Sequence, residues 1–128
     1  NFIVQSLAGA PITIYGDGKQ TRCFAHVYDV IDAMVAIAFA DNTIGKVINI
    51  GNNSEISINE LAQKIIAATG SKSEVLYVAY EEAYGDGFED MERRVPNIDL
   101  IRNLVGWEPK RDLSTMIADI SAQMQKTF

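Results

Sequence analysis

The chain has 128 residues, 48% of them apolar, and carries 11 Lys and Arg against 17 Asp and Glu, a formal net charge of −6. This length fits one domain with a core that needs no disulfide or metal. The single cysteine, Cys23, and the single histidine, His26, exclude an internal disulfide and a Cys/His zinc site. The acidic balance argues against a nucleic-acid binder, and no apolar run reaches the roughly 20 residues of a membrane span. We therefore expect a soluble, cytoplasmic protein with no nucleic-acid or membrane partner.

The first half of the chain predicts short strands alternating with helices. Apolar residues at helical spacing up to Gly9 predict the end of a helix that begins before residue 1. A β-branched run over 12–15, which Gly16-Asp17-Gly18 ends, predicts a strand and a tight turn. Further elements are predicted at 21–27 (strand), at 30–39 (helix, with Asp29 at its start) and at 46–50 (strand).

Helix signals dominate the second half. Ser57 and Glu60 fit a capping box, in which each side chain binds the backbone N–H of the other, and the helix is expected to end at Gly70. The remaining elements are predicted at 75–80 (strand), at 98–105 (helix, N-cap Asn97) and at 113–126 (helix, N-cap Asp112). The predicted fold class is α/β with a small sheet.

Groups for catalysis are scarce. Cys23 and His26 lie three residues apart in a predicted strand, so they point to opposite faces and form no nucleophile pair. Neither a G-x-G-x-x-G nor a G-x-x-x-x-G-K-[ST] phosphate loop occurs. Tyr15 and Lys19 have the Y-x-x-x-K spacing of a helical catalytic pair, but two intervening glycines and a preceding strand disfavour that helix. We assign no catalytic, cofactor-binding or metal-binding residue.

The segment from Gly16 to Arg22 is the most informative for ligand binding. Its glycines allow the backbone to approach a ligand, and Arg22 supplies a planar fork that suits phosphate oxygens. Gln20 and Phe24 lie one strand step on either side of Arg22 and share its predicted face. A second arginine from the pair 93–94 would let two guanidinium groups clamp one diphosphate.

With these motifs, the chain resembles the C-terminal part of the extended short-chain dehydrogenases that act on nucleotide sugars. That family includes UDP-glucuronate decarboxylases, UDP-glucose and UDP-glucuronate 4-epimerases and dTDP-glucose 4,6-dehydratases. The stretch Y-G-D-G-x-Q-T-R-x-F is the most specific of the matching motifs, and the others follow in the family's order and spacing. The matching segments are 1–3, 11–24, 26–27, 29–30, 49–52, 94–98 and 104–109.

The resemblance implies that residues 1–128 form one C-terminal substrate-binding lobe, with helices and a few short strands but without the main Rossmann sheet. In the family, an N-terminal Rossmann lobe holds NAD and the catalytic residues. The resemblance therefore implies a UDP- or dTDP-sugar-binding lobe of an NAD-dependent epimerase, dehydratase or decarboxylase that oxidises the sugar at C4. It also implies that NAD is bound by the other lobe and not by this chain, that this chain alone is inactive, and that the longer enzyme is a homodimer.

Six positions match the family's nucleotide contacts, and the resemblance implies their roles. These are Thr13 and Tyr15 at the base, Gln20 near the ribose, Arg22 at the diphosphate with Phe24 behind it, and Arg94 at the second phosphate or the ribose. The alternative hypothesis is a non-catalytic module for partner binding or oligomerisation, which apolar residues of the first helix motivate.

The negative charge is concentrated between Glu81 and Glu92, where six acids occur without a Lys or Arg, while the rest of the chain carries 11 acids against 11 bases. Such a charge run is usually a solvated surface. One alternative is a lid that occupies Arg93 and Arg94 when no nucleotide is bound. Another is a hard-cation site that includes Asp86 and Asp90.

Overall fold

The computed structural model describes residues 1–84 and 90–126, apart from the side chain of Tyr84. The helices are α1 (Phe2–Leu7), α2 (Val27–Ala38), α3 (Ile58–Thr69), α4 (Tyr80–Tyr84), α5 (Asp99–Val105) and α6 (Leu113–Gln125). The strands are β1 (Ile12–Tyr15), β2 (Thr21–Cys23), β3 (Glu55–Ser57) and β4 (Val75–Val78). The predicted α/β class, with helices and a few short strands, is confirmed. Over these residues, no helix combines the length and the apolar character needed to cross a membrane.

The four strands form two separate pairs. β1 runs parallel to β4, from Ile12 opposite Val75 to Tyr15 opposite Val78. β2 runs antiparallel to β3, with Thr21 opposite Ser57. Thr21 also donates its backbone N–H to the carbonyl of Glu92 at 2.8 Å. The chain that follows the acidic segment therefore passes beside the first residue of β2.

Two apolar clusters hold these elements together. The first covers β1, whose alternating Ile12 and Ile14 are fully buried under α1, α3 and α6. The second joins α2 to α5 and to the turn at Trp107, with Ala33 and Ile101 at its centre. Because every second residue of β1 enters the first cluster, Thr13 and Tyr15 are left on the opposite side of the strand.

Two of the three predicted N-caps, Ser57 and Asp112, are confirmed. Ser57 Oγ accepts the Glu60 N–H at 3.2 Å, and a Glu60 carboxylate oxygen accepts the Ser57 N–H at 3.0 Å, which completes the capping box of α3. An Asp112 carboxylate oxygen accepts the Thr115 N–H at 2.8 Å at the start of α6. α3 ends at Gly70, which has the left-handed φ of +65° that glycine tolerates.

The strand predicted over 21–27 is too long. β2 ends at Cys23, and α2 already begins at Val27. The N-cap of α2 is His26, whose ring Nδ1 accepts the Tyr28 N–H at 3.2 Å, so Asp29 falls in the first turn instead. Similarly, α5 begins at Asp99, one residue later than predicted, and its N-cap is Ile98 rather than Asn97, although an Asn97 side-chain oxygen accepts the Asp99 N–H at 2.8 Å.

The strand predicted over 46–50 is wrong. These residues are without a strand partner among the described residues, and Val47 is 92% exposed. Ile48 and Ile50 nevertheless pack against the second cluster. The alternation of side chains in this segment therefore reflects alternating burial in a segment that does not pair with another described strand. Conversely, β3 was not predicted, and β4 ends at Val78 rather than at Tyr80.

Candidate functional site

Four of the six predicted substrate-binding residues line one cleft of about 420 Å³, which we call the β1 cleft. It is bounded by β1, the loop into β2, and the residues that begin α1 and α4. The lining residues are Asn1, Phe2, Gln5, Thr13, Tyr15, Gln20, Arg22, Ile58, Tyr80 and Asp90. Residues from the N-terminus to position 90 therefore meet at a single concave surface.

The floor of the β1 cleft is set by the alternation of β1. Thr13 exchanges two hydrogen bonds with the Gln5 amide, which accepts the Thr13 N–H at 3.3 Å and donates to Thr13 Oγ1 at 3.2 Å. Beside it, Tyr15 is 41% exposed. Gln5 thus holds Thr13 in place, and Tyr15 remains partly accessible at the cleft.

Tyr80 closes one side of the cleft because it packs over Gly16. A Cβ at Gly16 would lie 2.5 Å from Tyr80 Cε2, and Gly16 has a φ of +75°. The Tyr80 hydroxyl accepts from the Gln20 amide at 2.9 Å and donates to Asp90 Oδ2 at 3.3 Å. The Gln20 amide also donates to the Tyr15 carbonyl at 3.0 Å. Partial burial, followed by the neighbouring Asp90 carboxylate, raises the pKa of Tyr80, which keeps its phenol protonated at neutral pH.

Arg22 is engaged by the end of the acidic segment. Its Nη2 lies 2.5 Å from Asp90 Oδ2, and the two side chains are 19% and 30% exposed. Its Nη1 donates to the carbonyls of Thr21 at 2.8 Å and of Met91 at 2.7 Å. An arginine has five N–H groups, so two of them, including the one on Nε, are without a partner in the described part of the chain.

Of the two neighbouring arginines, Arg93 is engaged in an ion pair and Arg94 is accessible. Arg93 binds both carboxylate oxygens of Glu55, at 3.0 and 2.7 Å, which lowers the pKa of Glu55 and raises that of Arg93. Arg94 is exposed and has no ion pair within residues 1–84 and 90–126. The lid hypothesis expects the acidic segment to pair with Arg93 and Arg94. For Asp90 this is wrong, because Asp90 pairs with Arg22. Asp86 and Glu89 lie outside the described residues.

Arg94 and Arg22 meet at a second cleft of about 380 Å³, which we call the arginine cleft. Asparagine side chains at 49, 52 and 97 contribute amide groups to its lining. Arg22 lines both clefts, so the β1 cleft and the arginine cleft are adjacent. A ligand that extends from one to the other would pass this guanidinium group.

Phe24 is not brought together with the other predicted residues. β2 ends at Cys23, so the strand face that would carry Phe24 beside Arg22 does not continue. Phe24 instead lines a third cleft of about 680 Å³ between α3 and the start of α6, together with Lys64 and Asp112. Its proposed position behind the diphosphate has no support in this geometry.

Sequence reasoning missed Gln5, Tyr80 and Asp90 as lining residues. The predicted strand over 75–80 includes Tyr80, whereas in the structure Tyr80 lies beyond β4, at the same sheet edge as Gly16 beyond β1. Nothing local in the sequence pairs Asp90 with Arg22. That contact depends on the alignment of residues 92–93 beside β2.

A second polar cluster lies away from the clefts, at the start of α2. Asp29 is 1% exposed and pairs with Arg111 Nη1 at 2.5 Å, while its other carboxylate oxygen accepts the N–H groups of Lys110 and Arg111 at 3.1 and 2.9 Å. Trp107 Nε1 donates to the Asp29 carbonyl at 3.1 Å. Burial alone would raise the pKa of Asp29, but these hydrogen bonds outweigh it and hold the pKa below its usual value. The cluster fastens the turn at 106–109 to α2.

The hypothesis of a cation site in the acidic segment gains no support. Among the residues that the structure describes, His, Cys, Asp and Glu side chains form no group of three that could hold a metal ion. Asp90, the described candidate, is committed to Arg22 and Tyr80.

Residues 1–120 match the model of the family described as GDP-mannose 4,6 dehydratase. The chain belongs to this family of extended short-chain dehydrogenases. UDP-N-acetyl-alpha-D-glucosaminuronate decarboxylase of Bacillus cytotoxicus is 40% identical over 108 residues, which cover 84% of this chain and 33% of the relative. UDP-glucuronic acid decarboxylase 1 of Xenopus tropicalis is 36% identical over 109 residues, which cover 85% of this chain and 24% of the relative. The chain thus spans a third or less of the length of these curated relatives.

A solved structure of the family gives the same picture. The UDP-glucuronic acid 4-epimerase of Bacillus cereus, in complex with UDP-glucuronic acid and NAD, superposes with a TM-score of 0.87 at 26% identity. The match covers 99% of this chain and 39% of the epimerase. The expectation of an extended short-chain dehydrogenase related to the nucleotide-sugar decarboxylases and epimerases is therefore confirmed.

The glycine turn at 16–18 is not built as a dinucleotide cradle. A dinucleotide pyrophosphate is normally held where a strand passes through a glycine turn into a helix N-terminus. Here the glycine turn at 16–18 joins β1 to β2, two strands.

Proposed function

We propose that this chain is the nucleotide-sugar-binding lobe of an NAD-dependent epimerase, dehydratase or decarboxylase. The observation that carries the proposal is the position of Arg22 on the border of the β1 cleft and the arginine cleft. A nucleoside diphosphate has two parts that would match the two clefts: a planar base, and a diphosphate that the ribose separates from the base. The family relationship and the UDP-glucuronic acid complex of the Bacillus cereus epimerase support the same ligand class.

Each part of such a ligand has a partner in the proposal. The base, a uracil or thymine, lies in the β1 cleft against the partly exposed Tyr15 and near Thr13. The ribose lies near Gln20, and the diphosphate lies between Arg22 and Arg94. Charge-assisted hydrogen bonds from arginine to phosphate contribute roughly 1.5–3 kcal/mol each.

In this proposal the lobe acts by positioning. Contacts to the nucleotide, which does not react, would fix the orientation of the attached sugar, and binding energy from such remote groups is what holds a reacting centre in place. The sugar would be oxidised at C4 in the longer enzyme, where the other lobe binds NAD. The two arginines supply the anchor from which the sugar extends.

Calorimetric titration of UDP, dTDP and their glucose esters tests the proposal. Arg22→Ala and Arg94→Ala are each expected to weaken binding about tenfold, because each removes one charged donor from the diphosphate. Arg102→Ala is the matched control, since Arg102 pairs with Asp99 and Glu108 on α5, away from both clefts, and is expected to bind as the wild type does. Wild-type binding that neither cleft variant changes would refute the residue assignment.

We further propose that the exposed apolar face of α2 receives the NAD-binding lobe. Six large side chains lie on it, from the start of the helix to Phe39, which is 88% exposed. They are Val27, Tyr28, Ile31, Met34, Val35 and Phe39. Apolar patches of this kind usually mark an interaction surface. The NAD-binding lobe is the favoured occupant because the curated relatives are about three times as long as the matching region.

Cysteine labelling distinguishes this occupant from a second copy of the chain. In a Cys23→Ser background, Met34→Cys is expected to react with maleimide in the chain alone and to be protected when the NAD-binding part of a family member is joined before residue 1. Ala68→Cys, exposed on α3, is expected to react in both. Protection of Met34→Cys that grows with the concentration of the chain alone would instead support the oligomerisation module.

A further inference from the structure

Four polar side chains of the β1 cleft, Arg22, Asp90, Tyr80 and Gln20, form a chain of hydrogen bonds. Asp90 accepts from Arg22 at 2.5 Å and from Tyr80 at 3.3 Å, and Tyr80 in turn accepts from Gln20 at 2.9 Å. Two of the side chains proposed to bind the nucleotide, Gln20 and Arg22, are thus connected through Tyr80 and Asp90. The position next to the Arg22 guanidinium already holds an anionic oxygen of this chain.

The ion pair of Arg22 and Asp90 is partly buried, so its net charge affects the binding of a charged ligand. With 19% and 30% of the two side chains exposed, the attraction between them is stronger than in a fully solvated pair. Arg22 and Asp90 together carry no net charge. An approaching anion therefore meets repulsion from Asp90 nearly as strong as the attraction from Arg22.

We infer that Asp90 is a specificity-determining residue that sets the charge requirement of this site, because a ligand phosphate binds Arg22 only by replacing the Asp90 carboxylate. The inference rests on the proposed nucleotide-binding function. A ligand with one negative charge that takes the place of Asp90 exchanges one anion for another and gains little. A nucleoside diphosphate ester carries two charges, and its second charge meets Arg94, which has no ion pair among the described residues. With Asp90 in place, a monoanion therefore gains little over an uncharged nucleoside, and a diphosphate ester gains through its contact with Arg94.

The rest of the network responds to this exchange. When the Asp90 carboxylate leaves, the Tyr80 hydroxyl loses an acceptor, while Gln20 keeps the Tyr15 carbonyl as one partner. Because Tyr80 stays protonated at neutral pH, its hydroxyl can donate to an incoming phosphate or ribose oxygen. The same groups that satisfy one another without a ligand can then satisfy a bound one.

The test compares Asp90→Asn with Glu92→Gln, which removes the same charge two residues away from a side chain that is exposed. The probes are UDP-glucose, the monoanionic methyl ester of uridine 5′-phosphate, and uncharged uridine. Asp90→Asn is expected to strengthen binding of UDP-glucose and of the methyl ester about tenfold and to leave uridine unchanged. Glu92→Gln is expected to change each affinity less than twofold at 0.15 M salt, where the Debye length is about 8 Å.

A double-mutant cycle ties the gain to Arg22. In an Arg22→Ala background, Asp90→Asn is expected to give a smaller gain for UDP-glucose, because no guanidinium is released and only the repulsion between Asp90 and the ligand is removed. Thermal melting of each variant checks that it is folded. If Asp90→Asn binds UDP-glucose as the wild type does, or more weakly, while Arg22→Ala still weakens binding, the inference is wrong and the proposed function stands. An equal gain from Glu92→Gln also overturns it, and failure of both wild type and Asp90→Asn to bind UDP-glucose overturns both proposals.

Discussion

Replacing Asp29 by Asn is expected to lower the free energy of unfolding by about 3 kcal/mol at neutral pH, since removing one charge of a buried pair leaves its partner groups unsatisfied. Asp29 accepts from one guanidinium and from two backbone N–H groups. An Asn side chain has one acceptor oxygen and an NH₂ group that would face one of these donors. Chemical denaturation with urea measures the loss.

The effect of this substitution has a defined pH dependence. Hydrogen bonds hold the pKa of Asp29 below its ordinary value of 3.8, so the folded state favours the carboxylate more than the unfolded state does. The stabilisation is therefore fully present above about pH 4 and is lost as the pH falls through the lowered pKa. The difference between wild type and Asp29→Asn is expected to be constant from pH 5 to 8 and to shrink in stronger acid.

Asp32→Asn is the matched control for Asp29. Asp32 lies on the same helix and approaches the same Arg111 Nη1, but at 3.5 Å and with 53% of its side chain exposed. An ion pair of this kind contributes little, so we expect a change of less than about 1 kcal/mol. If the two variants lose the same free energy of unfolding, the burial of Asp29 does not increase its contribution to stability.

Gly16→Ala is expected to destabilise the chain by about 3 kcal/mol and to weaken UDP binding as well. A left-handed φ costs a non-glycine residue about 1–2 kcal/mol. In addition, the new Cβ would lie 2.5 Å from Tyr80 Cε2 and force the ring aside. The hydrogen bonds of Tyr80 to Gln20 and Asp90, each contributing about 1 kcal/mol, would be lost.

Gly45→Ala separates the two causes. Gly45 has a φ of +74°, nearly that of Gly16, but an added Cβ there meets no atom within 4 Å. We expect it to cost about 1 kcal/mol, from the backbone alone, and to leave UDP binding unchanged. If both variants lose the same stability and bind UDP equally well, Tyr80 does not depend on Gly16 for its position.

Local patterns predicted the elements whose causes are local. The capping box at Ser57 and the cap at Asp112 depend on side chains within three residues of the backbone that they bind, so both helix starts were predicted correctly. The burial of Ile12 and Ile14 follows from alternation within one strand. The strand over 46–50 was wrong because a strand also needs a partner, and a single segment does not reveal one.

The candidate site was only partly predictable for the same reason. Thr13, Tyr15, Gln20 and Arg22 are close in sequence and share one cleft. Their polar partners come from elsewhere, since Tyr80 and Asp90 reach Gln20 and Arg22 across 60 and 68 positions. The burial of Asp29 also depends on contacts that are distant in sequence, because its partner groups lie 81 and 82 residues further along the chain. Local pattern indicates for Asp29 only a position at a helix start.

The pairing of the strands also constrains when this chain can acquire its structure during synthesis. Neither strand pair is a hairpin, since β1 pairs with β4 and β2 with β3, and α2 lies between β2 and β3. A ribosome must therefore release residue 57 before the second pair can close, and residue 78 before the first can close. Until then Ile12 and Ile14 have no strand beside them, and the nascent chain exposes the residues that later form its core. Contacts of such long range also slow folding, because loop closure precedes the contacts that stabilise it. The nascent chain is thus expected to depend on its early helices, or on a chaperone, until its second half has emerged.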